Sequence, residues 1–265
     1  MGGKRSAKGR SPRPKRRTHA VSAIERAMEV FARGFCFTRS FTHPYVADRV
    51  GSLWVMRDTP RKRDNYRNEE WIAYEAAPKE IDRIARKHSR GRFAVSAIHG
   101  IDEPADSLRT GFKALGYRLG TTEPLMIHLL RRIPRCDAPA NIQQVTTEDM
   151  AIRLAKTARS RQILPEHLAT DSQLRAYVAS AENKIVGWVR SIVIGDATWC
   201  SNMYVVPPFR RRGIGRALLC RMLRDDRAGG AMTAVLLASH TGAKLYPVVG
   251  YRQIGTLLLF TPRRR

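Results

Sequence analysis

The most constraining stretch of this 265-residue chain runs from Val205 to Leu219, Val-Val-Pro-Pro-Phe-Arg-Arg-Arg-Gly-Ile-Gly-Arg-Ala-Leu-Leu. Before it, Ala197 to Val206 is apolar and rich in β-formers, which predicts a strand. Pro207 and Pro208 end that strand, because proline has no N–H to give to a ladder. After it, Ala217, Leu218, Cys220, Met222 and Leu223 give the apolar face of a helix that begins near Gly215. The loop between them carries Gly213, Gly215 and four arginines. A strand that feeds such a loop into a helix N-terminus makes an anion site. Free N–H groups and the helix dipole point at the ligand, and glycine lets a phosphate approach the backbone. Arg210, Arg211, Arg212 and Arg216 add fixed positive charge suited to phosphate. A P-loop needs Gly-Lys-Ser/Thr, but Gly215 is followed by Arg216 and Ala217. A dinucleotide fingerprint needs a third glycine where Leu218 stands. Neither pattern fits.

The stretch closely resembles the acetyl-CoA motif of the GNAT N-acetyltransferase superfamily: a strand, Val-x-Pro, Arg-x-x-Gly-x-Gly at Arg210 to Gly215, then Ala217-Leu218-Leu219. A second match follows at the family's spacing. Leu245-Tyr246-Pro247-Val248-Val249-Gly250-Tyr251 is similar to the family signature Leu-Tyr-x-x-x-Gly-Phe/Tyr, with Pro247 in place of the usual polar residue. The resemblance implies an α/β fold with a mixed β-sheet flanked by helices, and acetyl-CoA as co-substrate without a metal. It implies cofactor contacts at Met203, Tyr204, Val205, Arg210, Arg211, Arg212, Gly213, Ile214, Gly215, Arg216, Ala217 and Ser239. It further implies that Tyr246 lies near the CoA thiol and returns a proton to the leaving thiolate. Free thiols and phenols titrate near about 8.5 and about 10, so a phenol is a sensible donor there. The attacking amine must lose a proton, yet Ala197 to Val206 contains no His, Asp or Glu. The expected acceptor of that proton is Glu166 or a water, and His240 reads as a turn residue.

The rest of the chain divides in two. Residues 131–140 are proline-rich and charged, which marks a linker. Residues 141–265 follow the family's order of elements and form the expected catalytic domain. Within it, Ala243 to Val249 reads as a short helix. In residues 20–130, Ala20 to Phe35 reads as an amphipathic helix through Val21, Ile24, Met28, Phe31 and Ala32. Phe35 to Phe41 alternates like a strand or a bound loop, Glu69 to Tyr74 reads as the start of a short helix, and Arg92 to Ile98 as a buried strand. Phe112-Lys-Ala-Leu-Gly116-Tyr117-Arg118 parallels Tyr246-Pro-Val-Val-Gly250-Tyr251-Arg252, and both run through Gly-Thr into an apolar strand. This internal repeat predicts two tandem GNAT-like units. The N-terminal unit is degenerate: Phe112 replaces the tyrosine and no Arg-x-x-Gly-x-Gly precedes it. Its expected job is to cover the active domain and shape the acceptor pocket.

The net charge of +25 is unevenly spread, and residues 1–17 alone hold eight Lys/Arg with no acid. With residues 18–19 they read as a disordered basic tail. Such a tail can contact nucleic acid through phosphate alone, since no aromatic is interleaved to stack on bases. Cys36, Cys136, Cys200 and Cys220 are scattered, so neither a zinc site nor a disulfide scaffold is indicated, and a reduced cytoplasmic protein is expected. No run of eighteen apolar residues is present, which excludes a helical membrane span, and the segment after the basic start is too charged for a signal peptide. The expected protein is therefore an acetyl-CoA-dependent N-acetyltransferase acting on a primary amine, as a monomer or homodimer. The alternatives are an acyl-CoA-binding module without catalysis and a nucleic-acid-associated protein that uses its basic arm. The positive charge disfavours polycationic acceptors unless the pocket is locally acidic.

Overall fold

The computed structural model describes residues 18–63, 65–137, 139–169 and 171–263. The basic segment 1–17, with its expected nucleic-acid contacts, lies outside the described residues. Helix α1 (Thr18–Arg39) opens the N-terminal half, followed by β1 (Tyr45–Val50), β2 (Leu53–Asp58), β3 (Glu69–Tyr74), α2 (Pro78–His88), β4 (Phe93–Gly100), α3 (Asp106–Ala114) and β5 (Tyr117–His128). Past the linker come β6 (Asn141–Gln144), α4 (Glu148–Ala158), β7 (Leu174–Ala181), β8 (Lys184–Ile194), β9 (Ala197–Val205), α5 (Ile214–Ala228), β10 (Thr233–Leu237) and β11 (Arg252–Pro262). None of these helices is long and apolar enough to cross a membrane. The strands form one mixed eleven-stranded sheet in the order β1-β2-β3-β4-β11-β5-β10-β9-β8-β7-β6.

That order shows what the repeat builds. Each half contributes an antiparallel run that ends in a parallel pair, β3 with β4 and β9 with β10. The closing strands are then exchanged. β11 pairs with β4, and β5 pairs with β10, while β5 and β11 lie antiparallel to each other at the centre. Tyr117 stands opposite Pro262 and Ile127 opposite Arg252, so a local two-fold relates the two Gly-Tyr elements. Residues 20–130 and 141–265 therefore share one sheet.

Apolar residues cover both faces of this sheet. On one face α1 packs Ile24, Met28 and Phe31 against Trp54, Ile72, Ile192 and Trp199. Gly34 makes the approach feasible, since a Cβ there has no room beside the Trp199 side chain. On the other face α5 buries Leu218, Leu219, Met222 and Leu223 against β7, β8 and β9. Burial of this kind contributes about 1.5–3 kcal/mol per large side chain.

Four readings of the sequence need correction. Phe35 to Arg39 continues α1 rather than starting a strand: Phe31 and Phe35 stack at i,i+4 spacing, with ring centroids 5.7 Å apart. Glu69 to Tyr74 is the strand β3, with Trp71, Ile72 and Ala73 all buried, the continuous burial of a strand covered on both faces. Ala243 to Val249 is two 3-10 turns, Gly242–Lys244 and Tyr246–Val249, rather than one helix. Cys136 of the linker is disulfide-bonded to Cys220 of α5, where four reduced thiols were expected. The linker folds back along α5, and Arg224 donates to the Pro134 carbonyl at 2.8 Å, which brings the two sulfurs together.

Candidate functional site

The site begins where β9 stops. Asn202 takes a left-handed backbone (φ 51°), and the pairing of β9 with β8 slips between Trp188 and Arg190, which makes a β-bulge. Asparagine tolerates this conformation better than most residues. On its other side β9 pairs with β10 only from Ala197 to Trp199. Beyond Trp199 the two strands part, and the β10-facing edge of Ser201 to Val205 is left without a strand partner among the described residues. Pro207–Phe209 form a single 3-10 turn, Arg211 is left-handed at φ 63°, and Gly213 at φ 80° caps α5 without any side-chain cap. The Ala217 N–H donates to the Gly213 carbonyl, so the preceding N–H groups of α5 have no partner within the helix. Gly215 lies beneath them, and a Cβ there meets Met203 Cε at 3.0 Å and Leu245 Cδ2 at 3.1 Å.

These elements enclose a cleft of about 680 Å³ on the α5 face. Met203, Tyr204, Val205, Arg210, Arg211, Gly213, Ile214, Gly215, Arg216 and Ser239 line it, joined by Thr241, Gly242, Lys244 and Leu245. Two expected contacts stand aside. The Arg212 guanidinium lies over the Phe209 ring at 5.4 Å, and Ala217 is buried beneath the helix. Arg210 is held by its Nε donating to the Val205 carbonyl at 2.8 Å.

A second cavity, of about 510 Å³, opens on the α1 face. Phe31, Phe35, Glu70, Thr121 and Glu123 from the N-terminal half line it with Arg190, Trp199, Ser201 and Asn202. Tyr246 lines both cavities, at the gap between β9 and β10. Its side chain is buried against Tyr251 with ring centroids 5.7 Å apart, and Gly242 leaves room for the phenol. Burial, with the neighbouring Cys200 thiol, pushes the phenol above its ordinary value, so it stays protonated near neutrality. Burial also raises Glu70 and Glu123, and lowers Arg190 to about 10. Glu166, the expected proton acceptor, sits exposed on the 3-10 turn Pro165–His167 and lines neither cavity. Beside it, His167 packs on Phe37 and Phe41.

Glu70, Glu123 and Arg190 escaped the sequence reading. Glu70 lies on a strand read as helix, and Glu123 reaches the cavity only through the strand exchange. The alternation of Trp188, Arg190 and Ile192 along β8 was the available signal for Arg190, whose neighbours on that face are core.

The family model of the acetyltransferase (GNAT) domain matches residues 172–253. No curated protein matches the chain. The fold is similar to that of a GCN5-related N-acetyltransferase from Kribbella flavida, with a TM-score of 0.61 at 14% identity over 90% of this chain and 96% of that one. A GCN5-related N-acetyltransferase from Sphaerobacter thermophilus gives 0.54 at 18% identity over 79% and 76%. A tandem GNAT protein from the clavulanic acid biosynthesis pathway gives 0.51 at 13% identity over 91% and 95%.

Proposed function

We propose, from the match of residues 172–253 to the acetyltransferase (GNAT) domain model, that this chain transfers the acetyl group of acetyl-CoA to a primary amine. One observation carries the reading: an arginine- and glycine-lined cleft on one sheet face meets a second cavity on the other face at Tyr246. Two substrates can reach one point from opposite sides. In this reading the N–H groups at the start of α5, with Arg210, Arg211 and Arg216, hold the pyrophosphate. The unpaired edge of β9 at Met203 to Val205 takes the pantetheine arm as an added strand. Backbone N–H near Tyr204 or Val205 faces the thioester oxygen as charge develops on it. The neutral amine attacks the carbonyl carbon, the new N–C bond forms, the C–S bond breaks, and Tyr246 gives its proton to the departing thiolate. The proton from the amine leaves through water, the route the exposed position of Glu166 favours. The N-terminal half serves as a degenerate copy that walls the acceptor cavity.

The test is calorimetric titration with acetyl-CoA, beside an assay of free-thiol release with a panel of amines. One molecule bound per chain, lost in Gly213→Asp, and thiol release with some amine are expected. Binding without release from any amine identifies a module that holds acyl-CoA without catalysis, and no binding overturns the reading.

A further inference from the structure

Nine carboxylates among the described residues are buried or half-buried. Seven of them have an arginine partner: Glu29, Asp48, Asp58, Glu69, Asp82, Asp225 and Asp226. Glu70 and Glu123 form no ion pair among the described residues, and both line the cavity on the α1 face. Glu70 accepts one hydrogen bond, from Ser96 Oγ at 2.5 Å. A chain with 48 Lys/Arg is not short of cations. Both acids are only partly covered, and an ammonium ion placed beside them would favour their charged form, which burial alone disfavours.

The two acids line one cavity from strands that lie three apart in the sheet. Glu70 extends from β3 and Glu123 from β5; Glu70 is pushed up by burial, its bond from Ser96 and the positive charge of Arg39 act against that, and the negative charge of Glu123 adds to it. Glu123 is on the strand nearer the bulge: the strand order puts β5 two strands from the bulged β9, a span of about 10 Å at ordinary strand spacing, and β3 three strands further on. Phe31, Phe35 and Trp199 line the wall between them, an apolar surface suited to methylene groups. Arg190 occupies the other end, on β8 opposite Ser201, with its Nη1 donating to the Gln162 carbonyl at 3.4 Å. A fixed positive charge near the reacting centre favours the neutral, nucleophilic form of an amine.

We infer that Glu70 and Glu123 form a subsite for a second ammonium group of the acceptor, which makes the acceptor a diamine whose other amine reaches Tyr246 across the aromatic wall. The inference rests on the acetyl-transfer reading for the second half of that statement, while the subsite itself is testable by binding alone. The local acidity also meets the one condition under which a chain of charge +25 accepts a polycation.

The experiment is calorimetry on the full chain with 1,5-diaminopentane, n-pentylamine and 5-aminopentanoate, with and without CoA. The diamine is expected to bind at least about tenfold more tightly than the other two, the lower range for a charge-assisted pair. Glu70→Gln with Glu123→Gln should remove that preference while acetyl-CoA affinity stays the same. Thermal unfolding is the second readout: loss of unmatched carboxylates should leave the midpoint unchanged or raise it, whereas acids with a purely structural role would lower it. Equal binding of diamine and monoamine, preference for the amino acid, no binding by any probe, or diamine binding indifferent to both substitutions each overturns the subsite. Diamine binding without an acetyl-CoA site would leave the subsite standing and sink the transfer reading; thiol release with a monoamine alone would do the reverse.

Discussion

The two halves offer the same strand, turn, helix and parallel strand, and they finish that unit in opposite ways. Between β9 and β10 the pairing ends after three residues, and the turn into α5 carries Arg210, Arg211, Arg212 and Gly213. Between β3 and β4 the pairing runs unbroken over six residues, from Glu69 with Phe93 to Tyr74 with Ile98. The turn into α2 is Glu75-Ala76-Ala77-Pro78, with Glu80 in the first helical turn. Where the C-terminal half has a basic cleft, the N-terminal half has a cavity of about 280 Å³ lined by Glu75 and Glu103. A polyanion fits the first and is repelled by the second. The two halves share this topology, while the bulge at Asn202, the glycines and the sign of the turn charges give the C-terminal half alone a basic cleft.

The largest expected effect tests how the open half holds together without a complete ladder. Beneath α5, buried Asp226 accepts from Arg175 Nη2 at 2.7 Å, Ser191 Oγ at 2.7 Å and Thr198 Oγ1 at 2.9 Å. Asp226→Ala leaves the Arg175 charge buried and unmatched, and should cost about 3–5 kcal/mol in urea unfolding. A loss under about 1 kcal/mol would mean that α5 is held by apolar packing alone.

Next comes the cradle. Gly213→Asp sets a carboxylate against the proposed phosphate position and forces a side chain onto φ 80°. Acetyl-CoA affinity should fall about 1,000-fold, or about 4 kcal/mol, as charge repulsion and backbone strain add. Glu75→Arg, the converse change in the closed half, should leave both the affinity and the stoichiometry of one unchanged by calorimetry. A second molecule bound in that variant would show that charge alone separates the halves.

The aromatic pair sharpens the contrast further. Tyr246→Phe should lower kcat about 100-fold with acetyl-CoA affinity within about twofold, in the range of a lost general acid. Phe112→Tyr, at the corresponding place in the repeat, should change neither, because Phe112 is fully buried against Phe260 at 4.4 Å between ring centroids. The pH profile gives the sign. Burial raises the Tyr246 phenol, so the protonated donor persists as pH rises, and kcat should show no alkaline loss from Tyr246 up to about pH 9. A fall with a midpoint below pH 9 that vanishes in Tyr246→Phe would contradict the burial argument.

What the sequence made legible follows from which features are local. The residues proposed for the cradle stand out in the sequence because glycine and cation lie within a few positions of a strand end, and Met203, Tyr204, Val205, Arg210, Arg211, Gly213, Ile214, Gly215 and Arg216 line one cleft, with Arg212 aside. The repeat was legible for the same reason, since Gly116-Tyr117 and Gly250-Tyr251 both mark a turn that enters a strand. The exchange of β5 and β11 was not, because neither strand carries a signal naming its neighbour. Burial on both faces removed the alternation that would have exposed β3, and the aromatic spacing of Phe35, Phe37 and Phe41 imitated it at the end of α1. Glu70 and Glu123 are 53 positions apart and come to line one cavity only through the sheet order.

The smallest effect asks whether the closed half is merely support. Its helix α2 is tied down by Asp82, which accepts from the Tyr117 hydroxyl at 2.6 Å and from Arg86 Nε at 2.7 Å. The Arg86 side chain is 52% exposed, so solvent screens that pair and the tyrosine bond carries most of the contribution. Asp82→Asn keeps the size of the side chain and removes its charge, and should cost about 1 kcal/mol in urea unfolding. Acetyl-CoA affinity should not move, since α2 buries Ile81, Ile84 and Ala85 in a core cluster that contains no residue proposed for the cradle. A stability loss without an affinity change would assign α2 to scaffolding alone. A drop in affinity beyond about threefold would mean that strain in the closed half passes through the exchanged strands β5 and β11 to the gap beside Tyr246, and the two halves would then have to be treated as one mechanical unit.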